Sequence, residues 1–119
     1  MFSFLKPRSA PGLTVQQAIA QAAAGTLTVI DVRELAEVKN TGKAAGALHL
    51  PLSVFAMKAD PRSPERHPAL TAGKPVALYC ASGGRSGMAA QTMARMGYDQ
   101  VHNIGGFGDW VAAGGPVER

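Results

Sequence analysis

The amino-acid sequence predicts an α/β domain with a central parallel sheet and helices on both faces. Three observations lead there. Leu27-Thr-Val-Ile30 and Val76-Ala-Leu-Tyr79 are short apolar runs, the pattern of strands buried on both sides. Segments with helix start and stop signals separate the strands, so the two kinds of element alternate. The 119 residues, 46% hydrophobic and 17% charged, suit one core and are too apolar for disorder.

The elements follow in order. Thr14-Val-Gln-Gln17 is a capping-box pattern and opens an alanine-rich helix to Ala24, stopped at Gly25. Leu27 to Ile30 is a strand that runs into Asp31-Val-Arg33. Glu34 to Lys39 is a short helix closed by an Asn40-Thr-Gly42 turn, and Ala47 to Leu50 is a strand that Pro51 ends. Leu52 to Lys58 reads as a helix. Asp60 to Gly73 holds Pro61, Pro64 and Pro68 and is irregular. Val76 to Tyr79 is the strongest strand. Ser86 to Met96 is a helix with Met88, Ala89, Thr92, Met93 and Met96 at helical spacing, ended by Gly97. Gln100 to Asn103 is a last strand, and Phe107 to Ala113 a last helix before Gly114-Gly115-Pro116. Residues 1–12 read as an N-terminal leader and 13–119 as the domain. No internal repeat or linker marks a second domain.

Bulk properties exclude several classes. No apolar run approaches the roughly 20 residues of a membrane helix. The net charge of +4 comes from dispersed Lys and Arg with no basic stripe or interleaved aromatics, so no nucleic-acid partner is expected. The single cysteine forms no intrachain disulfide and suits a reducing compartment, so a cytoplasmic location is expected. His67 and His102 have no metal-ligand spacing with that cysteine, and His49 reads as structural. No metal and no cofactor are expected. The sequence leaves the oligomeric state open.

The cysteine is the chemically informative residue. Cys80 stands where the apolar run gives way to Ala-Ser-Gly-Gly-Arg-Ser and then to a helix. Strand, glycine-rich loop and helix start in that order bring loop amides and a helix N-terminus toward the sulfur. Both favour thiolate, the reactive form. Ligands of open parallel sheets lie at the carboxyl ends of strands, where Asp31 also falls.

Three segments resemble the rhodanese family of sulfurtransferases. Asp31-Val-Arg-Glu34, Glu37 and Gly46-Ala-Leu-His-Leu-Pro51 are similar to its amino-terminal signature. Cys80-Ala-Ser-Gly-Gly-Arg-Ser86 is similar to its active-site loop, and Gly105-Gly-Phe-Gly-Asp-Trp110 with Gly114 and Pro116 to its carboxy-terminal signature. The resemblance covers residues 13–117. Two departures, Gly42-Lys-Ala-Ala for the usual Gly-His-Ile and Ile104 for an acidic residue, are expected to lie away from the cysteine loop.

The resemblance implies a single rhodanese-like domain that moves a sulfane sulfur from thiosulfate or a persulfide donor to a thiol or cyanide acceptor. A Cys80 persulfide is the intermediate. The implied partners are a small-molecule donor and a thiol acceptor, small or carried on a protein. Amides of Ala81, Ser82, Gly83, Gly84, Arg85 and Ser86 form an anion nest for both anionic states of the sulfur. Arg85 is expected to bind a thiosulfate-like anion, and Ser86 to cap the following helix. Asp31 is expected to order its turn. Arg33 is placed in an i, i+4 pair with Glu37 or at the mouth of the site.

Two rival functions remain. A cysteine-dependent phosphatase or arsenate reductase also cradles an oxyanion in loop amides, but places five residues between cysteine and arginine where Cys80 and Arg85 enclose four. A non-catalytic partner-binding module is the other, and its usual sign is a lost cysteine.

Overall fold

The computed structural model describes residues 12–71 and 73–119. The expected leader, apart from Gly12, lies outside the described residues. Four parallel strands form the sheet in the order β3-β1-β4-β5, with β1 at Thr28–Asp31, β3 at Leu48–His49, β4 at Val76–Cys80 and β5 at Val101–Gly106. The α/β class with a central parallel sheet is therefore observed. A separate antiparallel pair joins β2 (Lys43–Ala44) to β6 (Val117–Glu118). These two-residue strands lack any sequence signal, because their partners are 75 positions apart in the Lys43–Glu118 contact that closes them.

Alternation along β1 and β4 divides the interior in two. Ile30, Val32, Val76, Leu78 and Cys80 face one side, where α3 (Phe55–Ala59) and α4 (Gly84–Arg95) supply Phe55, Ala59, Ala89 and Met93. Val29, Ala77 and Tyr79 face the other, against Ala18 of α1 (Val15–Ala23) and Trp110 of α5 (Phe107–Ala112). All five β4 residues are buried. Fully burying a Leu such as Leu78 contributes roughly 1.5–3 kcal/mol, so this central strand anchors the fold.

The helices show why local signals succeed or fall short. The Thr14 hydroxyl accepts from Gln17 N at 3.0 Å and the Gln17 side chain accepts from Thr14 N at 2.9 Å, the reciprocal box expected at α1. The second helix, α2, runs over Leu35–Thr41, so Asn40 and Thr41 belong to it rather than to a turn. Leu52–Val54 is a 3-10 turn leading into α3. Of the apolar set expected on α4, Ala89 and Met93 are buried, Met96 is partly buried and Met88 is 61% exposed.

Asp31 and Arg33 form a buried ion pair on the α5 side of the sheet. Arg33 Nη2 lies 2.7 Å from Asp31 Oδ2, and Arg33 N donates to Asp31 Oδ1 at 2.8 Å. Tyr79 Oη donates to Asp31 Oδ2 at 2.7 Å and accepts from Ala44 N at 2.9 Å. The guanidinium also donates to Gly42 O and Thr41 Oγ1, and its carbon lies 4.3 Å from the Phe107 ring centroid. The expected Arg33–Glu37 pair is absent; Arg33 is turned inward by Asp31, and Glu37 pairs elsewhere. Removing one partner of such a pair leaves an unmatched buried charge. Arg33→Ala is expected to cost about 3–5 kcal/mol of stability. Urea unfolding of the purified variant measures it.

Candidate active site

Cys80 is the last residue of β4, one position beyond the strand end read from the sequence. Its neighbour Tyr79 points to the opposite face, which directs the thiol toward α4. The chain then turns through Ala81 and Ser82 to Gly83, whose φ of 103° lies in the left-handed region that glycine enters without steric cost. That residue caps α4, which begins at Gly84, two residues earlier than expected. Ser86 therefore lies inside the first turn and does not cap it.

This register aims donors at the sulfur. Gly83 N donates to Cys80 Sγ at 3.0 Å and Ser86 N at 3.5 Å, with Ser86 Oγ at 3.4 Å. The thiol is 1% exposed, whereas Ala81, Ser82 and Gly84 are exposed. Burial pushes the Cys80 thiol up. Hydrogen bonds from the Ser86 hydroxyl and amide and from the Ser82 and Gly83 amides outweigh it and bring it down to about 7.

Asn103, read from the sequence only as a strand residue, braces this loop. Its Nδ2 donates to Gly83 O at 2.9 Å, and its Oδ1 accepts from Gly105 N at 3.1 Å and Ser86 Oγ at 2.8 Å. The Ser86 hydroxyl carries one proton, so the shorter contact to Asn103 holds it while Cys80 is a thiol. Rotation toward Sγ becomes favourable once the sulfur is charged. Gly106 is the second unforeseen support. A Cβ there would collide with the Ala81 carbonyl oxygen, so the loop packs on bare backbone. Gly105-Gly106 ends β5. The region of Ile104 was expected to lie away from the cysteine loop, yet its neighbours Asn103 and Gly106 hold that loop in place.

Arg85 and Glu37 form the rim. Arg85 Nη1 and Nη2 donate to Glu37 Oε1 and Oε2 at 2.7 and 2.8 Å. The Arg85 guanidinium holds the Glu37 carboxyl down at about 2, and Glu37 in turn raises Arg85. Glu37 thus takes the end-on edge of the fork expected to grip an anion, while the same guanidinium also faces Cys80, whose charge and hydrogen bond raise it further. Asp31 and Arg33 stand on the other face of the sheet and do not meet Cys80. His49 Nε2 donates to Arg33 O at 2.7 Å, and His67 Nδ1 accepts from Ala69 N at 3.0 Å. Among the described residues no group of three or more His, Cys, Asp or Glu could hold a metal ion. No helix there is long and apolar enough to cross a membrane.

A parallel α/β sheet with a cysteine at the end of a central strand, its sulfur met by amides of a short loop, defines a class of anion-stabilised thiol sites. Comparison with known proteins makes this specific. The Rhodanese-like domain model matches residues 14–113, and the chain belongs to that family. It is 39% identical over 83 residues to the uncharacterized protein YqhL of Bacillus subtilis, covering 69% of this chain and 59% of YqhL. It is 33% identical over 87 residues to the B. subtilis "Putative sulfur carrier protein YrkF", covering 72% of this chain and 42% of that protein. The chain thus spans about half the length of these two relatives. A solved structure from Rhodopseudomonas palustris, RPA3614, matches with a TM-score of 0.79 and 37% identity over 90% of this chain and 83% of that one. It is described as a protein of unknown function, "Possible Tyrosine Phosphatase".

Two measurements test the geometry. Alkylation of Cys80 by iodoacetamide is expected to rise with pH about a midpoint near 7, and to fall as protonation removes the thiolate below it. Ser86→Ala removes one donor and is expected to move that midpoint upward. Gly106→Ala is expected to displace Ala81 and Ser82 and to slow alkylation at pH 7 at least about tenfold, the cost of misplacing a reacting group. Circular dichroism on the same sample separates this from unfolding.

Proposed function

We propose that this domain is a sulfurtransferase that carries sulfur as a persulfide on Cys80. The observation that carries the reading is the convergence of the Gly83 and Ser86 amides on one sulfur atom, at 3.0 and 3.5 Å. Family membership and the YrkF relative support it at the level of sulfur transfer. In the first step the Cys80 thiolate attacks the outer sulfur of a donor. With thiosulfate the sulfur–sulfur bond of the donor breaks, sulfite leaves with the electron pair, and Cys80 holds a persulfide anion. In the second step a thiolate or cyanide attacks the outer persulfide sulfur, forming an acceptor persulfide or thiocyanate and returning the Cys80 thiolate. Both resting states are anions, so fixed amide donors stabilise each of them without a proton shuttle. The sequence holds no second cysteine, so the acceptor thiol comes from outside this domain. Asn103 is assigned the role of positioning Ser86 and Gly83.

The phosphatase reading has a specific point in its favour, the description given to RPA3614. Two features of this site weigh against it. Cys80 and Arg85 enclose four residues rather than five, and the charge of Arg85 is already matched by the Glu37 carboxylate at both terminal nitrogens. Incubation with thiosulfate followed by intact-mass measurement decides between the two. The expected result is a gain of one sulfur that cyanide removes and that Cys80→Ser never shows. Release of phosphate from an aryl phosphate, with no sulfur gained from any donor, overturns the proposal.

A further inference from the structure

We propose that Glu37 is a specificity-determining residue that turns this site away from dianionic sulfur donors and toward donors of lower charge, such as thiosulfonates and persulfides of uncharged thiols. The inference rests on the sulfurtransferase reading and adds to it the donor's charge class. Its first basis is the bidentate contact. The Glu37 oxygens lie 2.7 and 2.8 Å from the two terminal nitrogens of Arg85, so the rim cation next to the cysteine loop is already matched by a carboxylate. An anion approaching Cys80 meets a neutral pair where the bare sequence promised a positive charge.

The second basis is the wider charge pattern. Residues 31–37, 50–54, 81–86 and 107–112 end the four sheet strands or follow them, and so lie at the carboxyl end of the sheet, on one face or the other. They contain two cations, Arg33 and Arg85, against the four carboxylates Asp31, Glu34, Glu37 and Asp109. Arg33 is consumed by Asp31 on the far face. These segments therefore hold more carboxylates than cations, in a chain that is net positive by four. A thiosulfate dianion pays like-charge repulsion here that a singly charged or neutral donor largely escapes.

Glu37 is also held independently of Arg85, because its Oε1 accepts from Glu34 N at 3.0 Å at the start of α2. A glutamine can keep that acceptor while losing the charge, which makes Glu37→Gln a clean test. The chemistry is unaltered by the donor: with a thiosulfonate, the thiolate takes the outer sulfur and a sulfinate leaves with the bonding electrons.

The experiment compares thiosulfate, a dianion, with methanethiosulfonate, a monoanion with the same sulfonyl-bound outer sulfur. Thiocyanate formation from cyanide is the readout. The unaltered protein is expected to have the higher kcat/KM with the monoanion. Glu37→Gln is expected to raise kcat/KM for thiosulfate relative to methanethiosulfonate by about fivefold, mainly through KM, the scale of a partly exposed charge pair. A second arm needs no variant. Raising the salt concentration with the unaltered protein is expected to lift thiosulfate turnover relative to the monoanion, since repulsion is screened. A donor ratio that neither the substitution nor salt moves, or a preference for thiosulfate that Glu37→Gln weakens, overturns the inference. Failure of both donors to load Cys80 overturns the sulfurtransferase reading itself, and is seen directly as an unchanged intact mass.

Discussion

The arrangement depends on a carboxylate buried where no water reaches it. Asp31 is fully buried and is satisfied only because Arg33, Tyr79 and the backbone of its own turn converge on it. The two side chains among those partners tie Asp31 to other pieces of the fold. Tyr79 is in the central strand, Arg33 reaches the end of α2 at Thr41 and Gly42, and the Tyr79 hydroxyl also takes the Ala44 amide of β2. A buried charge tolerates little displacement, so the cluster sets the rotation of β4. Strand alternation then sends the next side chain, Cys80, to the opposite face. The cluster never touches the sulfur, yet it decides which way the sulfur points.

On that opposite face the balance is electrostatic. Burial alone disfavours a thiolate, and the loop donors reverse the sign. Their placement is not a property of the loop alone. Asn103 ties the Gly83 carbonyl and the Ser86 hydroxyl to β5, and Gly106 admits the Ala81 carbonyl where any side chain would exclude it. The rim is linked back to the first cluster through α2, whose Glu37 holds Arg85 while its last residues receive Arg33. Local contacts thus join the two faces of the sheet through one short helix.

Much of this was legible in residue order. The capping box at Thr14, the buried runs at β1 and β4, and the helix stop at Gly97 act over a few positions, and each produced its element within one or two residues. The cysteine loop was legible for the same reason, since strand, glycines and helix are consecutive. Arg33 shows where such reading ends. Its i, i+4 spacing to Glu37 suggested a pair, but the side chain gains more contacts from a buried Asp31 two residues away. Asn103 and Gly106 offered only weak signals, because what they support lies some twenty residues earlier in the chain.

By itself, the sequence determined the class of fold, the strand that carries the cysteine and the presence of an amide-rich loop after it. Those features rest on neighbouring residues, whose spacing dictates pleat, cap and turn. Only the tertiary structure decided that Arg85 would be neutralised by Glu37, that Asp31 would face away from Cys80 and that β5 would brace the loop. The reason is physical: such partners are chosen by competition for desolvated charges and close backbone approach, and that competition exists only after distant segments have packed together.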